Sequence, residues 1–308
     1  MTKPIISVVS PVYKSEKIVG ELVRKLKETI TEITSDYEII LVCDGSPDNS
    51  WTEIKKCCKE DGHVIGINLS RNFGQHPALS AGLKYAKGDY IVVIDCDLQD
   101  NPDEIKRMYQ LANQGYDIIH TRRVGRKDGF LKRMSSKVFN SVYKFLSGLE
   151  TDGSVPNFGM YARKVIDEYN KMEEKARGFL TLISYLGFKT ITIDIEHRAR
   201  YEGKSSYSLI KLLKLSEDVI LSNSNRPLRL GILLGTVMTL LSIVLVIYNL
   251  VIYFTESVLP GFSASIISIW FVGGVIVTML GIIGLYIDKI FTQVKNRQLY
   301  IIDEVING

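Results

Sequence analysis

Two carboxylates one residue apart, Asp95 and Asp97, directly follow the apolar run Tyr90-Ile-Val-Val-Ile94. Such a run, rich in β-branched residues, reads as a buried strand, which puts the acids at its C-terminal end. Oxygen donors so placed can both reach one hard cation, Mg2+ or Mn2+, of the kind that holds a diphosphate. The plainer alternative makes these acids solvated loop residues or helix caps. Asp100 fits it, because Asp100-Asn-Pro-Asp-Glu104 looks like a helix start, with Pro in the first turn and acids near the positive dipole end.

The elements that must position these groups follow from periodicity. Ile5–Val9, Tyr37–Cys43, Val64–Leu69 and Tyr90–Ile94 read as strands, separated by helical patterns around Glu16–Ile33, Ser50–Glu60 and Pro77–Ala86. This alternation implies right-handed βαβ units and a mainly parallel α/β sheet, whose ligands bind at strand C-termini. Four successive strand ends carry Ser10-Pro-Val-Tyr13, Asp44-Gly-Ser-Pro-Asp48, Ser70-Arg-Asn-Phe-Gly74 and Asp95-Cys-Asp97. Each has a plain reading as a turn or a cap. Their convergence offers an aromatic, an acid for a base or ribose edge, an Arg and a metal pair. A GxGxxG or GxxxxGK[ST] loop is missing, which disfavours a dinucleotide cofactor or a P-loop.

Composition separates a second region. No charged residue occurs from Leu230 to Thr255 or from Ser257 to Ile287, and a membrane-spanning helix needs about 20 apolar residues. Two transmembrane helices, about 228–254 and 266–287, are expected. Arg226, Arg229, Lys289, Lys295 and Arg297 flank them, while the connecting stretch has no Lys or Arg, so both ends belong in the cytoplasm. The N-terminus opens into a strand without an apolar leader, as suits a head that is not exported. Cys43, Cys57, Cys58 and Cys96 lack metal-ligand spacing and read as small core residues; the four histidines show no zinc pattern.

Between head and hairpin lie two basic amphipathic stretches, Phe130–Leu146 and Ser206–Asn223. Each either packs its apolar stripe on the sheet or lies in a lipid headgroup layer. Arg200 and Lys204, in a Gly-containing loop, are candidates for gripping an acceptor phosphate or a donor diphosphate, Arg as a fork and Lys as a point charge. Nucleic acid is a poor partner for these charges, since no nucleic-acid motif accompanies them.

In this order, Ser10-Pro-Val-Tyr13, Cys43-Asp-Gly-Ser-Pro-Asp-Asn-Ser50, Arg71-Asn-Phe-Gly-Gln75 with Ala81-Gly82, Asp95-Cys-Asp-Leu-Gln-Asp100 and Arg200-Tyr-Glu-Gly-Lys-Ser-Ser-Tyr207 resemble glycosyltransferase family 2 with a GT-A fold. The resemblance covers nearly the whole chain and is to the polyprenyl-phosphate branch, which includes bactoprenol glucosyltransferases and dolichol-phosphate mannosyltransferases. It implies a GT-A, Rossmann-like head over 1–205, an interfacial helix and linker over 206–227, the transmembrane hairpin within 228–287 and a cytoplasmic tail over 288–308. It further implies inverting, metal-dependent sugar transfer from a nucleotide-sugar, UDP-glucose or another UDP-hexose, to undecaprenyl phosphate. GDP-mannose donation, processive polysaccharide synthesis and a silent nucleotide-sugar binder are the alternatives. The place of action is the plasma membrane, with a homo-oligomer expected.

By the same resemblance, Pro11, Tyr13, Glu16, Asp44, Arg71, Asp95 and Asp97 bind the nucleotide-sugar, and Asp95, Asp97 and Gln99 contact the metal. Arg122, Arg126, Arg133, Arg200, Lys204 and Ser205 meet the acceptor phosphate, and Asp97, Asn157 and Arg200 carry catalysis. Two positions depart from the pattern. Lys14 stands where relatives often have Asn, and Asn157 where many carry an Asp proposed as base. A phosphate monoester with a second pKa of about 6 is already largely a dianion at neutral pH. It needs no strong base, so Asn157 has either an orienting role or a structural one in a turn.

Overall fold

A computed structural model describes residues 5–124, 145, 156–172, 178–196, 224–255, 262–295 and 297–308. The chain divides into two compact units.

The first unit is built on one eight-stranded sheet. Its strands are β1 (Ile6–Val12), β2 (Tyr37–Cys43), β3 (Val64–Leu69), β4 (Tyr90–Val93), β5 (Ile118–Val124), β6 (Gly159–Ala162), β7 (Thr190–Glu196) and β8 (Ile302–Ile306), in the order β7-β5-β6-β4-β1-β2-β3-β8. Pairs β1–β2, β1–β4, β2–β3 and β5–β7 are parallel, whereas β6 runs antiparallel to both neighbours and β8 antiparallel to β3. The sheet is therefore mixed, with parallel pairing at its centre. Helices α1 (Val19–Thr31), α2 (Ser50–Glu60), α3 (Gln75–Tyr85), α4 (Glu104–Asn113), α5 (Arg163–Lys171) and α6 (Phe179–Tyr185) cover its two faces.

Strand alternation explains the two cores. Ile6, Val8, Ile39 and Leu41 point to one face and pack with Leu22 and Leu26 of α1, Ile54 of α2 and Met108 of α4. Val9, Ile40 and Val42 point to the other, against Leu79 of α3, Val165 of α5 and Phe179 of α6. A Cβ on Gly82 would collide with Val9 and Val42, so this glycine lets α3 lie directly on β1 and β2. All four cysteines are buried, as expected of core residues.

Strand β1 runs three residues beyond the expected Val9 and takes in Pro11. Proline lacks the N–H that a central strand needs on both sides. Here β4 pairs with β1 only from Ile6 to Val9, so beyond Val9 β1 has β2 alone as its neighbour and Pro11 faces the vacated side. The parting of β1 and β4 opens a crevice where strand order reverses. Residues 302–306, expected within a cytoplasmic tail, form β8 instead. Trp51 Nε1 and Lys55 Nζ bond to Glu304 at 3.1 and 2.7 Å, and the Asn307 amide donates to the carbonyls of Cys58 (2.8 Å) and Val64 (3.0 Å).

The second unit contains α7 (Arg226–Thr255, 30 residues) and α8 (Phe262–Val294, 33 residues). Their surfaces expose large apolar side chains, among them Leu240, Val244, Ile269 and Val277. Among the described residues one segment, Phe271–Val294, is long and apolar enough to cross a membrane. Two helices thus form where two spans were expected, and among the described residues one of them contains a candidate span. Phe130–Leu146, apart from Phe145, and Ser206–Asn223 lie outside the described residues.

Candidate active site

Pro11, Val12, Tyr13, Ser15, Asp44, Asn72, Gly74, Gln75, Asp95, Cys96 and Asp97 line a cleft of about 330 Å³ at the C-terminal ends of β1 to β4. The crevice beyond the last β1–β4 pair supplies its floor. An α/β sheet binds ligands at such a switch point because strand ends and loops diverge there. Tyr13 is 44% exposed at the rim, a flat face available to a base.

The walls are tied together by side chain to backbone bonds. Asp44 is buried at the end of β2, and its two carboxylate oxygens accept from the N–H groups of Phe73 (2.7 Å) and Gly74 (2.9 Å). It therefore braces the loop before α3 and keeps some acceptor capacity toward the cleft, since a carboxylate has about four lone-pair directions. Gly45, at φ +54°, sits against the Arg71 backbone where a Cβ would clash. Lys14 adopts φ +52° and its N–H donates to Ser46 Oγ at 2.8 Å. Asn tolerates that left-handed conformation well, so the geometry accounts for the pattern's Asn and leaves the Lys here without a structural explanation.

Asp95 is the most constrained acid of the cleft. Gln75 Nε2 donates to its Oδ1 at 2.7 Å from the first turn of α3, and the Asn157 amide also reaches it. Burial, then the like charges of Asp97 and Asp100, push its carboxyl up to about 6, opposed by the Arg123 charge and the Asn157 amide. Asp97 Oδ1 accepts from the Gln99 N–H at 3.2 Å around Leu98, which adopts φ +55°. Two hard oxygen donors in a cleft with excess negative charge fit a divalent cation, which commonly takes one or two protein carboxylates and completes its shell with water and substrate phosphates. Among the described residues no group of three His, Cys, Asp or Glu converges on one metal position, so substrate oxygens must provide the rest.

Several expected residues stand elsewhere. Glu16 accepts from the Asn49 N–H (2.9 Å) and braces the loops after β1 and β2. Arg71 lies over the Phe73 ring, 4.4 Å from its centroid. Gln99 contributes its backbone to Asp97 and does not line the cleft. Arg122 pairs with Asp194 across the β5–β7 ladder at 2.7 Å, both side chains being 48% exposed. Arg126, Arg133, Arg200, Lys204 and Ser205 lie outside the described residues.

Asp100 requires a correction. It is no solvated loop acid but is 2% exposed, and Arg123 Nε and Nη2 bond its two oxygens at 3.0 and 2.8 Å. The loop turns it inward, and Asp103 rather than Asp100 precedes α4. Gln75, Asp100 and Arg123 were absent from the candidate set. Strand parity was the available signal for Arg123, which shares a face with the buried Ile119 and Thr121.

A family model described as "Glycosyl transferase family 2" matches residues 7–170, which run from the second residue of β1 through β6 and contain every cleft residue. The chain belongs to glycosyl transferase family 2. It is a glycosyltransferase. An uncharacterized glycosyltransferase of Bacillus subtilis, YkcC, is 36% identical over 97% of this chain and 93% of its own length. The undecaprenyl-phosphate 4-deoxy-4-formamido-L-arabinose transferase of Proteus mirabilis is 34% identical over 98% and 94%. Among solved structures, glucosyl-3-phosphoglycerate synthase from Mycobacterium tuberculosis, in complex with Mn2+, UDP and phosphoglyceric acid, aligns at TM-score 0.51 and 18% identity, covering 72% of this chain and 77% of that one. That likeness is one of fold.

Proposed function

We propose that this family 2 enzyme transfers a sugar from a UDP-sugar, UDP-glucose or another UDP-hexose, to a polyprenyl phosphate, undecaprenyl phosphate in particular. The observation that carries the reading is the Asp95–Asp97 pair at the floor of a cleft rimmed by Tyr13 and braced by Asp44. The acceptor follows from near full-length relatives named as undecaprenyl-phosphate transferases.

Tyr13 and Asp44 hold the nucleoside, and Asp95 and Asp97 are the residues that would hold Mg2+ or Mn2+. Such a cation supplies neutralisation of the charge that builds on the departing diphosphate. The acceptor phosphate oxygen attacks the sugar C1 in line; its bond to C1 forms as the bond from C1 to the diphosphate oxygen breaks, and the nucleoside diphosphate leaves with that electron pair. The configuration at C1 inverts. No protein base is required, because the phosphate is already anionic. Asn157 then acts by orientation, and its amide reaching Asp95 agrees with that role. On this reading the long apolar helices α7 and α8 are a pair of plasma-membrane spans, and the head lies on the cytoplasmic side, where the lipid phosphate is delivered.

The test is a donor panel of UDP-glucose, UDP-N-acetylhexosamines, GDP-mannose and UDP-4-deoxy-4-formamido-L-arabinose offered with undecaprenyl phosphate, read by the mass of the lipid product. A UDP-sugar gives a lipid-phosphate-linked sugar. Chelation or Asp97→Ala lowers turnover about a hundredfold or more. Full turnover without metal would sink the role of the acid pair.

A further inference from the structure

The loop from Ser70 to Gly74 carries Asn72 and Gly74 into the cleft wall and delivers Gln75 to Asp95. The end of β2 holds it from one side, where Asp44 accepts from Phe73 and Gly74 and Gly45 lies against the Arg71 backbone. Its first residue is held by a segment far away in sequence. The Ser70 N–H donates to the Ile301 carbonyl at 3.0 Å, one residue before β8 begins. At this point the β3–β8 ladder changes register: Asn68 stands opposite Glu304 and Leu69 opposite Ile302, so Asp303 is an extra residue. Its carboxylate accepts from the Asn68 amide at 3.2 Å. A bulge bends a strand and re-aims what adjoins it, and this one lies where β3 gives way to the loop. On the inner side Tyr300 and Ile302 pack against the same core cluster as Phe73 of the loop. The rest of β8 is fastened separately, Glu304 to Trp51 and Lys55 and Asn307 to the Cys58 and Val64 carbonyls. The strand is therefore anchored without the loop, and the contacts of its entry bear on the loop itself.

We propose that residues 300–303, the entry of β8, are positioning residues for the nucleotide-sugar: they set the loop from Ser70 to Gly74, and through it Asn72, Gly74 and Gln75 in the cleft wall. The inference rests on the transferase reading above. A loop fixed at both ends meets its ligand already ordered, whereas one fixed only by Asp44 loses backbone freedom on binding and weakens affinity by that cost. Residues 295–301 alone separate α8 from β8, so the chain that leaves the long apolar helix is the one that shapes this wall of the cleft.

The experiment titrates the full-length protein in micelles by calorimetry with UDP and with GDP, each with Mn2+, and follows hydrogen exchange across 70–75 by mass spectrometry. Wild type, Ile302→Ala, Ile302→Val, Asp303→Ala and Asn307→Ala are compared. Ile302→Ala and Asp303→Ala weaken the bound nucleotide about five- to tenfold, the equivalent of one hydrogen bond, and speed exchange across the loop. In turnover the donor KM rises while kcat at saturating donor stays within about twofold of wild type. Ile302→Val restores both readings. Asn307→Ala, at the other end of the same strand, lowers the melting point and moves neither, which separates positioning from general loss of stability. Nucleotide affinity within twofold of wild type in Ile302→Ala and Asp303→Ala, an equal loss in Asn307→Ala, or unchanged exchange across the loop each overturn the proposal. Asp303→Ala, at an exposed position, keeps the test open should Ile302→Ala misfold. A wild type that binds neither nucleotide, or binds one yet makes no lipid-linked sugar, defeats the transferase reading instead, and exchange in the free protein still decides whether residues 300–303 hold the loop.

Discussion

Asp44 illustrates how one buried acid serves two tasks. Its oxygens fix the Phe73 and Gly74 N–H groups, and through them the loop that delivers Gln75 to Asp95. Asp44→Asn leaves one of these N–H groups facing an amide NH2, so stability falls by about 1–3 kcal/mol, read by chemical denaturation, and the donor KM rises. Titration offers a second test. With chelator present the Asp95 carboxyl titrates near 6; because its folded value lies above the ordinary one, the native state holds a proton that the unfolded chain has released, and stability falls as pH rises from about 4 to about 6. His120 acts in the opposite sense. Its buried imidazole is pushed down to about 4 by desolvation, with Nδ1 unpartnered, so as pH falls below 6.5 the unfolded chain takes up a proton that the native one does not. His120→Leu therefore gains relative stability as pH drops, about 2 kcal/mol at pH 5. Melting curves from pH 4.5 to 7 check this, and a pH-independent difference would contradict it.

Among the elements, the strand–helix alternation of the head was legible because each buried strand is a continuous apolar run. Tyr37–Cys43, Val64–Leu69 and Ser50–Glu60 fall where periodicity puts them. What could not be read depends on partners distant in sequence. Pro11 looks like a turn until β4 is seen to part from β1 at Val9. Asp100 looks like a helix cap until Arg123, 23 residues on, is seen to reach it. β8 looks like a polar tail, since its alternation is weak and its partner β3 lies some 235 residues earlier. Two predictions belong at this scale. Gly82→Leu drives α3 off the β1–β2 surface and costs several kcal/mol through overpacking, about 1–3 or more, with loss of UDP binding as Gln75 moves. Asn307→Ala removes two amide hydrogen bonds and a residue suited to φ +60°, lowering stability by about 1–2 kcal/mol while leaving kcat unchanged.

For the whole molecule, chemistry and location are carried by different units of the chain. The head holds every cleft residue within the family match, whereas α7 and α8 hold the apolar surface. The full chain stays with the membrane fraction through alkaline carbonate and high-salt washing, since apolar burial in lipid is insensitive to both; release by either would reduce α7 and α8 to peripheral elements. Strand β8 adds a constraint of timing. The head cannot complete its sheet until 302–306 have been synthesised, after both long helices have left the ribosome. Until then β3 presents an open row of backbone donors and acceptors, the kind of edge that pairs with the wrong chain. If both helices span the bilayer as proposed, their insertion precedes completion of the head's sheet, and a stall in membrane insertion should appear as aggregation of the catalytic unit.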